Sequence, residues 1–191
     1  MSAILLVLAL VGIMLVSIVI LFYTITTLWT DITALGKPYA PFVPLNSDAL
    51  ATMLTHIDVQ PSSVVYDLGC GDGRILSEMY HREPQATFVG IERGWSPYLL
   101  AKFRTRKMSS ARFRIIRGDM FAADLSRATI ITAYLFPGLL DALLPKIQKE
   151  VRPGTMLYSV DFKLSHKEPV KVIDLNRRDE RLGKILFVYQ F

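Results

Sequence analysis

The chain of 191 residues carries a formal net charge of +5, is 51% hydrophobic and holds a single cysteine, Cys70. One cysteine excludes an intrachain disulfide and gives no sign of an oxidising compartment; His56, His81 and His166 are scattered without metal-ligand spacing, so no metal is expected. Once an apolar N-terminus is set aside, the remaining length suits one domain with a full core.

Ala3 to Tyr23 is almost entirely Ile, Leu, Val, Ala, Met and Phe, and no charged side chain precedes Asp31. About twenty helical residues span a hydrocarbon core of ~30 Å, so residues 1–30 are predicted to form a single-pass transmembrane anchor. The alternatives are a cleaved signal peptide and a buried core helix. A signal peptide would want a basic leader, a shorter apolar run and a small-residue cleavage site. All Lys and Arg follow the helix, Lys37 being the nearest. That asymmetry predicts a following domain on the cytoplasmic side, or on the matrix side if the protein is mitochondrial. Tyr23 and Trp29 suit either an interfacial aromatic belt or ordinary packing.

Residues 31–60 read as a proline-rich pre-domain segment and a lead-in helix. Pro38, Pro41 and Pro44 fix φ and remove donors, so this stretch is extended and stiff, either as a rigid linker or as something more. Asn46 or Ser47 then caps a helix to about Ile57, with Leu50, Met53, Leu54 and Ile57 on one face.

Val64 to Ile75 reads V-V-Y-D-L-G-C-G-D-G-R-I: a strand, a glycine turn and a helix start. Glycine permits positive φ and close approach of backbone to a ligand. A dinucleotide fingerprint would place its third glycine at position 74, where the chain has Arg74. The observed D-x-G-x-G-x-G instead resembles motif I of class I S-adenosylmethionine-dependent methyltransferases. Cys70, with no histidine near it in sequence, reads as a small residue that fits the turn rather than a reactive thiol.

A helix is predicted from Arg74 to about His81, and a strand from Ala86 to Ile91 ends on Glu92. An acid at that place, roughly twenty residues past the first glycine, accepts hydrogen bonds from ribose hydroxyls in doubly wound folds. A helix from Ser96 to about Met108 has Pro97 at its first position. A strand over Phe113–Ile116 leads into R-G-D-M-F, residues 117–121, and a β-rich run from Thr129 to Leu135 supplies the central strand. That run ends in A-Y-L-F-P, at the sheet edge where ligands bind in open α/β folds. A helix over Leu139–Glu150, a strand over Met156–Asp161 and a last pair over Val170–Leu175 and Ile185–Phe191 follow. R-R-D-E-R-L-G-K between the last two is a solvated connection. Residues 61–191 are therefore expected to form an α/β, Rossmann-like domain with a mostly parallel seven-stranded sheet flanked by helices.

The P-F-V-P segment, D-L-G-C-G-D-G-R-I, V-G-I-E-R and the A-Y-L-F-P strand end together resemble one group. They are similar to the membrane-anchored lysine methyltransferases that act on the ATP synthase c-subunit and the adenine nucleotide translocase, and to their prokaryotic relatives. The resemblance implies S-adenosylmethionine as cofactor. It implies that Asp67, Gly69, Gly71, Asp72 and Gly73 cradle the methionine part, that Glu92 holds the ribose, and that Asp119, followed by Met120, meets the adenine. It further implies that Pro41, Phe42 and Pro44, with Tyr134, Phe136 and Pro137, border the substrate entrance. The Tyr134–Pro137 strand end departs from the animal enzymes, which leaves substrate identity open.

The expected partners are a bilayer and a membrane protein with an accessible lysine. Tyr134 is a candidate to accept or relay a proton, with a packing role as the alternative, and the general base is unassigned. The basic residues between Arg104 and Arg117 are compatible with a nucleic acid, but membrane anchoring argues against one, and basic groups beside a bilayer also attract anionic headgroups. Methylation of a lipid, a quinone or another membrane-held small molecule is a second alternative, and a non-catalytic cofactor-binding scaffold a third.

Overall fold

The computed structural model describes residues 3–34, 42–108, 111–175 and 182–191, and for residues 27 and 29–34 the backbone alone. Lys37, Pro38, Pro41, the Trp29 side chain and most of the charged run after Asn176 lie outside what is described.

Seven strands form one sheet: Val64–Leu68 (β1), Thr87–Glu92 (β2), Phe113–Arg117 (β3), Ile130–Ala133 (β4), Met156–Val160 (β5), Lys171–Asp174 (β6) and Ile185–Gln190 (β7). Their spatial order is β3-β2-β1-β4-β5-β7-β6. The first five run parallel, whereas β7 pairs antiparallel with both β5 and β6. This is the class I methyltransferase fold. A parallel strand needs apolar residues on both faces because helices cover both, and β4 accordingly is buried at every residue.

The pleat sends alternate residues to two separate cores. Val65 and Phe88 join a cluster with Ser47–Leu54 (α2), Arg74–Arg82 (α3) and Trp95–Arg104 (α4) on one face. Leu68, Val89 and Ile91 join Leu140, Leu143 and Ile147 of Pro137–Glu150 (α5) on the other. An eight-residue helix such as α2 is marginal alone and is held by tertiary packing. Asn46 caps it by accepting from the Asp48 N–H at 2.9 Å. Its Ala49, Leu50, Met53 and Leu54 are buried in the same cluster as the sheet, so α2 packs as part of the core it leads into.

Element ends differ from expectation where proline is involved. α5 begins at Pro137 rather than Leu139, because a first-turn proline gives up no helical hydrogen bond. α4 begins at Trp95 on Gly94, so Pro97 lies within the first turn and not at its start. The N-terminal helix, Ala3–Ala34 (α1), is longer than the expected 1–30. Its apolar side chains from Ile4 to Ile25 are exposed instead of lying in a core, and Ala3–Thr26 is long and apolar enough to cross a membrane. The C-terminal part of α1 rests on α4, where the Thr26 and Ser96 hydroxyl oxygens lie 3.3 Å apart.

Candidate active site

The strand order reverses between β1 and β4, and an open α/β sheet forms its ligand crevice at that switch point. A cavity of about 440 Å³ lies there, bounded by the loops after β1, β2, β3 and β4. Its floor is the glycine turn. Gly69, Gly71 and Gly73 have φ of 75°, 56° and 74°, a left-handed run that side chains with a Cβ rarely adopt. A Cβ on Gly71 would also collide with the Phe42 ring.

Asp67 lies next to the end of β1 beneath this turn, with only 1% of its surface exposed. One carboxylate oxygen accepts from the Thr132 hydroxyl at 2.8 Å; the other is buried and has no hydrogen-bond partner among the described residues. Burial, opposed by the Thr132 bond and aided by Glu92 and Asp72, raises its pKa to about 7. A half-titrated carboxyl aimed into a cavity suits a cationic ligand group, which would favour its ionised form.

Glu92 closes the turn from the side. Its Oε2 accepts from Gly71 N at 2.9 Å and its Oε1 from Gly94 N at 2.6 Å, so a single carboxylate ties the loop after β1 to the loop after β2. Burial raises its pKa against those backbone bonds. Asp119 and Met120 line the cavity after β3, and the Asp119 carboxylate accepts from Phe121 N at 2.9 Å, which fixes the loop. Cys70 lines it too, with a thiol whose pKa burial pushes up.

Two residues of the turn do other work. The Asp72 carboxylate accepts from Arg74 and from Arg104, with ion pairs of 2.8 Å each, so it ties α3 to α4 while its residue still borders the cavity. Those guanidinium groups hold its carboxyl below the usual range despite burial. Gly73 sits behind the turn as the cap of α3, where an added Cβ would lie 3.2 Å from the Ala101 Cβ of α4.

On the side where substrate would enter, Phe42, Pro44 and Tyr134 line the cavity. Pro137 starts α5, and Phe136, 41% exposed, packs beside the opening against Phe162 with ring centres 5.5 Å apart. Phe162 also stacks on Tyr134 at 6.2 Å. Pro41 lies outside the described residues. Burial first, and then the nearby Asp161 carboxylate, push the Tyr134 phenol up to about 12. Asp161 follows β5 with φ of 62°, and its carboxylate accepts from Gly183 N at 2.5 Å and Lys184 N at 2.7 Å.

Three contributors were missed by reasoning from sequence. Asp161 was read only as the last residue of a strand, although the carboxyl edge of the sheet was flagged as the ligand side. Trp95 and Tyr23 line the cavity as well, the latter from α1. No local spacing connects residue 23 to a cavity built some forty residues later.

Residues 67–171, more than half of the chain, match the ANTKMT methyltransferase domain family. The chain belongs to that family. It is a methyltransferase that uses S-adenosylmethionine. A protein-lysine N-methyltransferase of Saccharolobus islandicus is 31% identical over 80% of this chain and 94% of that relative. The mouse adenine nucleotide translocase lysine N-methyltransferase is 29% identical over 70% of this chain and 58% of its own length. Among solved structures, an RNA methyltransferase from Salinibacter ruber in complex with S-adenosyl-L-homocysteine superposes with a TM-score of 0.70 at 31% identity, covering 78% of this chain and 93% of that one.

The residues of this ANTKMT-family chain fit the cofactor on two observations of their own. The unpartnered Asp67 oxygen offers an acceptor where an ammonium group can bind, and the left-handed turn puts the backbone of Gly69 and Gly71 on the cavity wall.

Proposed function

We propose that this methyltransferase is held to a membrane by α1, with its domain on the cytoplasmic side or, in a mitochondrion, the matrix side, and that it methylates a lysine of a membrane protein. The observation that carries the reading is that Tyr23, near the end of the apolar helix, lines the same cavity as Asp67, Gly69 and Gly71. A cavity edged by the end of a membrane span opens at the height of the lipid headgroups, where lysines that flank other spans are found. The names of the Saccharolobus and mouse relatives point to lysine as acceptor.

In this reading Asp67 and the backbone of Gly69–Gly71 hold the methionine part of the cofactor, Glu92 the ribose, and the Asp119–Met120 loop the adenine. When bound, S-adenosylmethionine supplies an electrophilic methyl on a sulfonium. The chain's task is to present a neutral amine to it. A free lysine has a pKa of about 10.4, so deprotonation at pH 7 costs roughly 4–5 kcal/mol. Burial between Phe42, Tyr134 and Phe162 lowers that cost by disfavouring the ammonium. The Tyr134 phenol stays protonated at neutral pH, so it serves as no strong base. Beside the Asp161 carboxylate, its oxygen lone pairs accept from the amine and fix its position, which contributes to rate through orientation.

The test is transfer of radiolabelled methyl groups by the full chain into host membranes, with the labelled species separated into protein, lipid and RNA. Label recovered as methyl-lysine is expected. A second reading, RNA methylation, is favoured by the Salinibacter neighbour's described activity; label in RNA would establish it, and label in lipid would move the acceptor to a membrane small molecule.

A further inference from the structure

α4 carries an apolar stripe on the side away from the sheet. Its buried residues are Ala101 and, one turn on, Thr105 at its C-cap. At about 100° per residue, Ser96, Leu99, Leu100 and Phe103 follow one another along the opposite face. Leu99, Leu100 and Phe103 are 42%, 53% and 66% exposed. Ser96, which begins the stripe, touches Thr26 at 3.3 Å, and Thr26 belongs to the stretch of α1 apolar enough to span a membrane. The stripe therefore starts against the apolar helix. Because Leu99, Leu100 and Phe103 remain exposed, α4 leaves α1 instead of running along it.

Cations surround the stripe. Lys102, Arg106 and Lys107 are all exposed, and the Arg106 guanidinium lies 4.0 Å above the Phe103 ring while donating to the Phe103 carbonyl at 2.7 Å. Arg117 lies 3.9 Å over Trp95 at the start of the same helix. Leucines and a phenylalanine beside a basic flank are the composition of a helix that lies in the interfacial plane, its apolar side about 5–10 Å into the headgroup boundary.

We propose that α4 docks on an anionic bilayer surface, with Leu99 and Phe103 in the acyl boundary and Lys102, Arg106 and Lys107 at lipid phosphates. This rests on the reading of α1 as a membrane span and adds a second, peripheral contact to it. The two contacts meet at Thr26 and Ser96 and fix the catalytic domain's tilt, so that the cavity, lined by Tyr23, Trp95 and Leu100 on this side, is held at the lipid surface rather than sweeping around a single tether.

The experiment uses the full chain in nanodiscs of mixed phosphatidylcholine and phosphatidylserine with brominated acyl chains. Cys70 is buried, so a cysteine added by Phe103→Cys, Leu99→Cys, Ile13→Cys or Val170→Cys is the one that takes an environment-sensitive fluorophore. Val170, 61% exposed beside β6, reports the sheet edge opposite α4. Blue-shifted, quenched emission at positions 13, 99 and 103, with none at 170, is expected, and the 99 and 103 signals should weaken in discs of phosphatidylcholine alone. Quenching at 13 but not at 99 or 103 overturns the docking of α4 and leaves the anchor standing; equal quenching at 103 and 170 overturns it too. No quenching at 13 overturns the anchor itself.

Discussion

The Thr132 hydroxyl on β4 donates a 2.8 Å hydrogen bond to Asp67 on β1, across the switch point of the sheet, and leaves the second Asp67 oxygen facing the cavity without a partner. Threonine satisfies half of a buried acid, and in the proposed reading the cofactor's ammonium satisfies the rest. Since the free protein holds this carboxyl near pKa 7, a cation that binds it expels a proton below that pH.

Affinity for S-adenosylmethionine should therefore rise as pH increases through about 7, with protons released on binding at pH 6. Calorimetry in buffers of different ionisation heat reads both. Asp67→Asn should weaken binding and flatten the pH dependence; a variant that keeps the full slope would remove Asp67 from the site. In the ligand-free protein the sign for stability is opposite. The folded acid binds its proton more tightly than the unfolded one, whose pKa is near 3.8, so this group's contribution is full below that value and is lost as pH rises toward 7.

Glu92→Ala removes the acceptor for Gly71 N and Gly94 N together with the proposed ribose contact. A loss of about 1–3 kcal/mol in cofactor affinity is expected for charge-assisted bonds of this kind. Glu92→Gln keeps one acceptor oxygen and should fall between the two. Titration calorimetry at pH 8 separates the three proteins.

Asp72→Asn is expected to act on stability more than on binding, since its carboxylate faces Arg74 and Arg104. Arg104 is 44% exposed, so solvent screens its share and the total loss should be about 1 kcal/mol. Thermal melts should drop by a few degrees, while the affinity for S-adenosylmethionine stays within about twofold of the parent, a difference worth ~0.4 kcal/mol.

Tyr134→Phe removes the hydroxyl beside Asp161 and keeps the ring stacked on Phe162. Methyl transfer should slow at least tenfold, with cofactor affinity unaltered, because the change touches only the amine's position. The parent's pH–rate profile should show no ionisation of Tyr134 below about 11, in keeping with a phenol pushed up to about 12. Equal rates in the two proteins would reduce Tyr134 to packing.

The parts of the site that backbone geometry imposes were legible in the chain. Three glycines at alternate positions and an acid at the end of the second strand are local signals, and Gly69, Gly71, Glu92 and Asp67 sit where those signals put them. Contacts made only by folding were not legible. Nothing local shows that Arg104 reaches Asp72 from α4, so the turn's second acid could not be read as an inter-helix tie as well as a cavity residue. Asp161 meets Tyr134 only because β4 and β5 are neighbours in the sheet. The stripe on α4 gains meaning from Thr26, seventy residues earlier, which touches its first turn.

The central claim is most directly tested by comparing methyl-lysine in the membrane proteins of host cells with and without this chain, by mass spectrometry of the intact membrane fraction. Loss of methylation at a lysine flanking a membrane span, restored by the parent chain and not by Asp67→Asn, is the predicted result. An unchanged methyl-lysine profile, with a methylated lipid or RNA missing instead, would contradict it.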